Sequence, residues 1–553
     1  MTTALPDLPS LFEELEEENV VDRLWAKDPS LWTSDPVVQG TIRQRLGWLD
    51  LPGFMADAVP EIGAFVKDVK KAGFKDVVLL GMGGSSLCPE VLRQTFGRAP
   101  GGLKLHVLDT TDPGAIAAAS AKIVLKKTLF LVASKSGGTI EVMSLFKHFW
   151  GRLEKAGVKT PGAQFVAITD PGTSLEKLAR DHAFRKTFIS RADVGGRFSA
   201  LTFFGLVPAA LIGVSVEKLL DRSARQANAC REKGEANPGL SLGAWLGAAM
   251  EAGRDKMTIV TSKKLAGFGV WVEQLVAEST GKQGTGVVPI DGETLGAPTD
   301  YGADRVFVHL KLAGSADRPM EKKLDALVSA GHPVLTLPLA TPLDLAQEFF
   351  RWEFATAVVG QILGINPFDE PNVSESKANT TRILQRFESA GALPEPAPTL
   401  TESGVRVWAP TGKPASLSAA LNDFLARRQP GDYVALMAYL TPAPVLHRAL
   451  QTIRARIARA TGLATTLGYG PRYLHSTGQL HKGGAGNGLF IQFTGLDAKD
   501  LDVPGAAYGF SILKRAQALG DFEALGNHKL RAIRFDLSKN AAKDLARFAV
   551  SVN

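Results

Sequence analysis

The chain has 553 residues, of which 45% are hydrophobic and 22% are charged, and its formal net charge is +7. This balance is ordinary for a folded globular protein and excludes the disordered and fibrous classes. The charge is small for the length, and the sequence has no long run of lysine and arginine with interleaved aromatic residues of the kind that nucleic-acid binders carry. We therefore expect no nucleic-acid partner, and the mild positive charge suits a small anionic ligand.

Cysteine content and hydropathy indicate where in the cell the protein is expected to act. Cys88 and Cys230 are too few for a disulfide framework or a cysteine zinc site. No stretch approaches the roughly 18 uninterrupted apolar residues that indicate a transmembrane helix, and the acidic segment LFEELEEENVVDRL near the start is unlike a signal peptide. These features predict a soluble, cytoplasmic protein without a membrane partner.

Alternating strand and helix patterns predict an α/β fold with two doubly wound parallel sheets. The first part of the chain has a helical pattern, two sets of strands alternating with helices follow, and the Pro- and Ala-rich stretch ESAGALPEPAPTLTESG separates them from a smaller α/β unit. The predicted parts are a helical N-terminal segment (1–72), a first domain with the candidate anion-binding turn (73–250), a second domain (251–387), a linker (388–404) and a C-terminal α/β unit (405–553).

One turn of the first domain is typical of an anion site. In LFLVASKSGGTIE, the apolar strand 129–133 runs into a short turn and then a helix. The hydroxyls of Ser134, Ser136 and Thr139, the charge of Lys135 and the start of the helix would together suit a phosphate monoester. The GxxxxGK[ST] spacing of nucleotide-binding loops is absent, so we expect a small phosphorylated metabolite. An ordinary strand-to-helix turn would explain the same residues.

The first predicted strand ends in a second glycine- and serine-rich turn, GMGGSS, at residues 81–86. A dinucleotide site needs G-x-G-x-x-G, whereas Ser86 stands at the third-glycine position here, which favours a cradle of hydroxyls. Because both turns follow strands of one sheet, we expect them to face a common crevice.

Three further motifs place charged or titratable side chains beside glycines. VGGRFS contains Arg197, which suits an oxyanion but also fits a surface turn. ESTGK places Glu278 in the last turn of a helix, where the helix dipole raises the pKa of a carboxylate, as a catalytic base requires; a solvated glutamate near a helix end is the alternative. FDEPNVSESK ends at Lys377, and HSTGQLHKGG contains His475 and His481 among glycines and hydroxyls.

In chain order, GMGGSSL, SKSGGTIE, VGGRFS, ESTGK and NPFDEPNVSESK resemble the successive signatures of the glucose-6-phosphate isomerase family, over about residues 75–385. The resemblance implies two flavodoxin-like sugar-isomerase (SIS) domains, interconversion of glucose 6-phosphate and fructose 6-phosphate in glycolysis and gluconeogenesis, and a homodimer. The particular residues found in these motifs, and the later stretch HSTGQLHKGG, are most similar to the isomerase part of fused transaldolase and glucose-6-phosphate isomerase proteins. The part before residue 75 is too short for a transaldolase barrel, which leaves open whether a transaldolase is a separate partner.

The resemblance also implies a role for each motif residue. Arg197 would stabilise the charge of an enediolate, Glu278 would move a proton between C2 and C1, and Lys377 would assist at the ring oxygen or the phosphate. The residues implied in holding the sugar phosphate are Ser85, Ser134, Lys135, Ser136 and Thr139.

The histidine that opens the sugar ring departs from the family pattern. In the family it precedes the motif lysine, but the histidines between ESTGK and that lysine, His309 and His332, lie in no matching motif. STGQLH resembles the family's histidine loop. We therefore expect His481 to be the ring-opening acid, with His475 as its nearest rival.

Two other positions also differ from the family. Glu370 stands where the family usually has glutamine, and a carboxylate beside a phosphate is unfavourable, so we expect Glu370 to pair with Lys377 or an arginine. Gly138 replaces a residue that commonly carries a hydroxyl, which leaves one phosphate donor fewer.

An aldose and a ketose interconvert by moving one proton between adjacent carbons. This needs a carboxylate base, a cation or donor near the developing oxyanion and an acid for ring opening, so we expect no cofactor and no metal. One alternative is a non-catalytic SIS-type sensor of sugar phosphates, which would need the phosphate turn but not Glu278, Arg197 or Lys377. Another is a broader isomerase that also accepts mannose 6-phosphate.

Overall fold

The computed structural model describes Leu5 and residues 7–552. It confirms the predicted α/β fold class: parallel sheets flanked by helices, a helical N-terminal segment and a further sheet in the C-terminal part. Within the described residues, no helix is both long enough and apolar enough to cross a membrane.

The N-terminal segment is helical and packs against the first two sheets and their helices. Its α-helices are α1 (Leu8–Glu17), α2 (Val20–Trp25), α3 (Pro36–Arg43), α4 (Leu51–Phe54) and α5 (Val59–Lys71). Helix α1 buries Leu11 and Leu15, four residues apart on one face. The indole N–H of Trp32 donates to the carbonyl oxygen of Ala357 at 2.9 Å, which ties this segment to the second domain.

The first sheet positions most of the predicted phosphate-binding residues. Its strands are β1 (Asp76–Gly81), β2 (Lys104–Leu108), β3 (Thr128–Ala133), β4 (Phe165–Thr169) and β5 (Lys186–Ile189). All pairings are parallel, in the order β2-β1-β3-β4-β5, and the order reverses between β1 and β3. The carboxyl ends of these two strands therefore form the crevice in which doubly wound sheets bind ligands.

Helices cover both faces of this sheet, and β1 and β3 are accordingly buried along their whole length. The α-helices of this part are α6 (Leu87–Phe96), α7 (Pro113–Ser120), α8 (Ile140–Lys155), α9 (Ser174–Asp181), α10 (Phe203–Leu211), α11 (Val216–Ala229) and α12 (Pro238–Glu251). Side-chain caps set several helix starts. The carboxylate of Asp112, for example, accepts from the N–H of Ala115 at the start of α7.

The second sheet is also parallel. Its strands are β6 (Lys256–Thr261), β7 (Val288–Ile290), β8 (Arg305–Leu312) and β9 (Val334–Leu339), and its order is β7-β6-β8-β9. The α-helices that follow in this part of the chain are α13 (Phe268–Thr280), α14 (Arg318–Ser329), α15 (Leu345–Ile362) and α16 (Val373–Ala390). Helix α13 carries the ESTGK motif at its end, beside the first sheet.

The C-terminal part forms a mixed sheet. Its strands are β10 (Leu400–Glu402), β11 (Val405–Trp408), β12 (Tyr433–Tyr439), β13 (Ala464–Tyr469), β14 (Gly488–Gly495) and β15 (Arg531–Leu537). The order is β10-β11-β15-β14-β12-β13, with the four later strands parallel and β10 and β11 antiparallel at one edge. The α-helices are α17 (Leu417–Leu425), α18 (Pro444–Thr461), α19 (Gly478–Gly483), α20 (Phe510–Asn527) and α21 (Ala541–Ser551).

Helices α16 and α20 join the C-terminal part to the first sheet. They pack along each other, and Ile383 of α16 shares an apolar cluster with Val78 of β1 and Leu513 of α20. The stretch 388–404, predicted as a linker, contains the last turn of α16 and all of β10. This packing brings the segment between β13 and α19 to the carboxyl ends of β1 and β3.

Candidate active site

A cavity of about 340 Å³ lies where the turn after β3, helix α16 and the C-terminal part meet. Its lining residues come from all three: Ser136, Gly138, Thr139, Ile140, Glu141, Val373, Ser376, Lys377, Thr380, Thr381, Leu474, His475 and Gln517. A larger cavity of about 460 Å³ beside the edge strand β2 contains none of the predicted site residues. Within the described part of the chain, no group of three or more His, Cys, Asp or Glu side chains is arranged to hold a metal ion.

The turn after β3 presents hydroxyls at the start of α8. Ser134 is buried, and its Oγ lies 2.9 Å from Thr139 Oγ1 and accepts from the N–H of Gly137 at 3.1 Å. Gly137 has φ +74°, and a Cβ there would lie 2.7 Å from Thr173, so the turn requires glycine. Ser134 thus braces the turn from within, while Ser136 and Thr139 face the cavity at a helix N-terminus, which favours an anion.

The structure places the two predicted lysines differently. The ammonium of Lys135 forms an ion pair with Asp170 and lies 3.4 Å from the carbonyl oxygen of Ala192, and Lys135 does not line the cavity. Lys377, on α16, does line it. Ser85 lies in the turn after β1, outside the lining residues. Of the two predicted lysines, Lys377 is therefore the one that lines the same cavity as the hydroxyls of Ser136 and Thr139.

Two glycine turns in close contact bring Arg197 into the site. A Cβ on Gly84 would lie 1.9 Å from the carbonyl oxygen of Gly196, so only glycine lets the GMGGSS and VGGRFS turns approach this closely. The Arg197 side chain that follows is buried, 2% exposed, and crosses toward the end of α13.

All five N–H donors of the Arg197 guanidinium have acceptors. Nε donates to Ser279 Oγ at 2.7 Å, and Nη1 donates to Glu278 Oε1 at 3.1 Å and to Glu370 Oε2 at 3.0 Å. Nη2 donates to the carbonyl oxygens of Pro367 at 2.7 Å and Asp369 at 2.9 Å. The prediction that Glu370 pairs with an arginine is confirmed.

Glu278 is a buried carboxylate with a raised pKa. Burial is the main cause, the charge of Glu370 adds to it, and the charge of Arg197 opposes it. Gln274, one helical turn earlier, donates from Nε2 to Glu278 Oε2 at 2.9 Å and to the carbonyl oxygen of His475 at 2.8 Å. The amide thus links this carboxylate to the turn that carries the histidine.

His475 ends the short 3₁₀ helix Arg472–His475 and projects into the cavity. Its Nε2 lies 2.9 Å from Glu141 Oε1, which also accepts from Gln517 Nε2 at 2.7 Å. Burial raises the pKa of Glu141, but the charge and hydrogen bond of His475 outweigh burial and leave that pKa lowered. An ionised carboxylate therefore orients the imidazole.

The geometry does not support the prediction that His481 is the ring-opening acid. His481 lies on α19, where it is 5% exposed and packs 4.9 Å from Phe490 and 5.8 Å from Tyr473, measured between ring centroids. It does not line the cavity, and its Nδ1 has no hydrogen-bond partner among the described residues. Burial lowers the pKa of His481 to about 3. Helix α19 turns this ring toward the third sheet, and His475 occupies the cavity instead.

Of the residues predicted from sequence, Ser136, Thr139 and Lys377 line the cavity. Glu278 and Arg197 lie outside its lining, and Gln274 connects them to it because its amide bonds both Glu278 and the carbonyl oxygen of His475. Sequence reasoning missed three residues that hold the others in place: Glu141, Gln274 and Gln517. Glu141 is the last letter of SKSGGTIE, and Gln274 precedes Glu278 by one helical turn, so the spacing of both offered a signal. Gln517 lies in no motif, and only the packing of α20 brings it here.

Comparison with known proteins gives consistent matches. The Phosphoglucose isomerase family profile matches residues 60–302. The glucose-6-phosphate isomerase of Rubrobacter xylanophilus is 30% identical over 402 residues, which cover 62% of this chain and 92% of that protein. The enzyme of the same name from Thermosynechococcus vestitus is 31% identical over 425 residues, covering 67% and 77%.

Solved structures match as well. A hypothetical protein from Thermus thermophilus aligns with a TM-score of 0.57 at 25% identity, over 70% of this chain and 98% of that one. A glucose-6-phosphate isomerase from Chlamydia trachomatis aligns with a TM-score of 0.57 at 19% identity, over 69% and 86%. The second likeness concerns the fold alone.

Proposed function

Because the chain belongs to the glucose-6-phosphate isomerase family, we propose that it interconverts glucose 6-phosphate and fructose 6-phosphate by ring opening and proton transfer through an enediolate. The observation that carries the proposal is that a buried carboxylate paired with a buried guanidinium, Glu278 with Arg197, is connected through Gln274 to the turn whose carboxylate-bound imidazole, His475, lines the cavity. These are the groups that the reaction requires.

The phosphate would bind at the start of α8. The hydroxyls of Ser136 and Thr139 and the first N–H groups of the helix are donors there, and Lys377 supplies the positive charge. Ser134 would act through Thr139, whose hydroxyl it contacts. In this proposal the phosphate anchors the sugar so that its reacting carbons extend toward α13.

His475 would open the ring. Its imidazole would donate a proton to the ring oxygen and recover one in the reverse direction, with Glu141 holding the ring in position. Gln517 holds Glu141 in turn, so the acid is oriented by a chain of buried hydrogen bonds.

Glu278 would then transfer the proton between C2 and C1. Its raised pKa suits a base that must take a proton from carbon and return it. Arg197, fixed beside it, would stabilise the negative charge that develops on the enediolate oxygens.

The first test is turnover. Purified protein should convert fructose 6-phosphate to glucose 6-phosphate in an assay coupled to glucose-6-phosphate dehydrogenase, and a chelator should leave the rate unchanged because the proposed groups need no metal. Thermal unfolding of the same sample shows whether it is folded. Absence of turnover in folded protein would contradict the proposal.

The same assay separates the alternatives. A sensor would bind the sugar phosphates without converting them, and it would have no use for the carboxylate, guanidinium and imidazole that meet here. A dual isomerase would also convert mannose 6-phosphate, which an assay started from that sugar measures.

A pair of lysine variants tests the phosphate site. We expect Lys377→Ala to weaken inhibition by inorganic phosphate by about tenfold or more, the scale of a hydrogen bond to a charged group, with a smaller effect on kcat. Lys135→Ala should weaken it less, since that ammonium is paired with Asp170. A larger loss in Lys135→Ala than in Lys377→Ala would return the role to Lys135, as the sequence predicts. Inhibition constants measured at several phosphate concentrations decide between them.

Three finer proposals rest on the sequence resemblance. The chain would be of the type found in fused transaldolase and glucose-6-phosphate isomerase proteins, which is supported by the position of HSTGQLHKGG after the lysine motif. It would form a homodimer and act in the cytoplasm.

A further inference from the structure

Arg197 presents no unoccupied N–H to a ligand. Its five donors are directed at Ser279, Glu278, Glu370 and two backbone carbonyls. If its guanidinium is to bond an enediolate oxygen directly, as the proposed function invites, one of these acceptors must leave.

Two of the acceptors are backbone carbonyls, of Pro367 and Asp369, in a loop that Lys282 also bonds. The ammonium of Lys282 donates to the carbonyl oxygens of Asn366 at 2.9 Å and of Asp369, and to Asp369 Oδ1 at 2.7 Å. These three bonds use its three N–H groups. Lys282 is 2% exposed, so it braces the loop whose carbonyls receive Arg197 Nη2.

Two further acceptors are fixed by their surroundings. Ser279 is fully buried within α13 and meets Nε, on the side of the guanidinium next to its own stem. Glu278 is buried, and its second oxygen is held by Gln274.

Glu370 differs from the other acceptors. Its side chain is 45% exposed. It comes directly after the loop that Lys282 bonds, and among the described residues it accepts no hydrogen bond from Lys282 itself. Water can therefore solvate its carboxylate when it leaves Arg197, whereas no such replacement is open to the buried acceptors.

We propose that Glu370 is a placeholder. In the free protein its carboxylate accepts a hydrogen bond from Arg197 Nη1, and when substrate binds the carboxylate moves away so that Nη1 donates to the reacting oxygen of the substrate instead. The inference rests on the proposed function. Glu370 acts through Arg197 and is in this sense a positioning residue. Because a charged acceptor bonds more strongly than an amide oxygen, this carboxylate competes with an anionic ligand more than a glutamine would.

Calorimetry with two inhibitors tests the placeholder role. 5-Phosphoarabinonohydroxamate copies the charged enediolate, whereas sorbitol 6-phosphate is a neutral polyol at the same carbons. Both carry the same phosphate, so effects on the phosphate site cancel between them. We expect Glu370→Gln to bind the hydroxamate about threefold to tenfold more tightly, the scale of losing a partly exposed charged competitor, with sorbitol 6-phosphate unchanged.

Two matched variants separate competition from simple charge. Glu370→Asp keeps the charge but is too short to reach Arg197 with the same backbone, so it should also tighten the hydroxamate. Glu375→Gln removes the same charge from α16, at a side chain bonded to Asn527 and His528, and should change neither affinity.

The outcomes separate this inference from the proposed function. The placeholder role would be overturned if Glu370→Gln bound both inhibitors equally more tightly, or neither more tightly. It would also be overturned if Glu370→Asp behaved like the wild type, because the effect of Glu370→Gln would then be charge repulsion alone. Failure of the wild-type protein to isomerise fructose 6-phosphate would instead overturn the proposed function, whatever the calorimetry gives.

Discussion

Glu278→Gln should lower isomerase turnover by about 10²- to 10⁴-fold, the usual scale for losing a general acid or base. It should leave the binding of sorbitol 6-phosphate almost unchanged. Glutamine has the size of glutamate, and its amide oxygen can still accept from Arg197 Nη1, although its amide nitrogen cannot accept the bond that Gln274 Nε2 donates to Glu278 Oε2. It cannot take a proton from carbon. The expected loss therefore falls on kcat, with little change in inhibitor affinity.

Glu273→Gln is the matched control for this variant. Glu273 lies on the same helix, and burial, with a contribution from Asp291, raises its pKa to about 7. It accepts from Ser476 Oγ at 3.3 Å and, unlike Glu278, receives none of the hydrogen bonds that Arg197 donates. Exchange of the C2 proton with deuterated solvent, followed by NMR, should stop in Glu278→Gln and continue in Glu273→Gln. The reverse pattern would move the base to Glu273, and a loss of inhibitor affinity of about tenfold or more in Glu278→Gln would make Glu278 a binding residue.

The raised pKa of Glu278 also sets the acidic side of the pH profile. The base must be ionised to accept a proton, so kcat/KM should fall as pH drops below that pKa and level off above it. Because burial raises this pKa, the fall should begin at a higher pH than for an ordinary glutamate. A profile of kcat/KM against pH that stays flat down to the pH range of unperturbed glutamates would contradict this.

His475→Gln should lower turnover of glucose 6-phosphate by about 10²-fold or more but isomerise erythrose 4-phosphate almost normally. Erythrose 4-phosphate cannot close a ring, because its C4 oxygen carries the phosphate. A residue that only opens rings is therefore not needed for it. The hydrogen bond from His475 Nε2 to Glu141 Oε1 and the place of His475 on the cavity wall are the reasons for this expectation.

His481→Gln is the comparison that decides between the two histidines. His481 packs against Phe490 and Tyr473 away from the cavity, so we expect its loss to lower the stability of the C-terminal part and to affect both sugars equally. A selective loss on glucose 6-phosphate in His481→Gln would restore the role that the sequence predicts. Equal losses on both sugars in His475→Gln would place His475 in proton transfer or in the fold.

The sequence by itself determined the fold class and the part of the site that is built from local motifs. An apolar run, a glycine turn and a helix start lie within a few residues of each other, so LFLVASKSGGTIE could be recognised as a strand, turn and helix start without knowledge of its neighbours. Glu278 was identifiable from its place in the last turn of a helix. Glu370 was expected to meet a cation because an isolated carboxylate beside a phosphate is unfavourable, and it meets Arg197.

Only the tertiary structure decided which side chains of each motif face the cavity. His475 and His481 lie six residues apart in equally polar surroundings, and the packing of α16 and α20 against the first sheet puts one ring in the cavity and the other against the third sheet. Lys135 sits in the motif, yet Asp170, from the next strand's loop, takes its ammonium, and Lys377 from a distant helix stands in its place. Such choices depend on partners outside the motif, from 35 residues away for Lys135 and Asp170 to 334 for Glu141 and His475, and the periodicity and spacing of a local sequence carry no information about them.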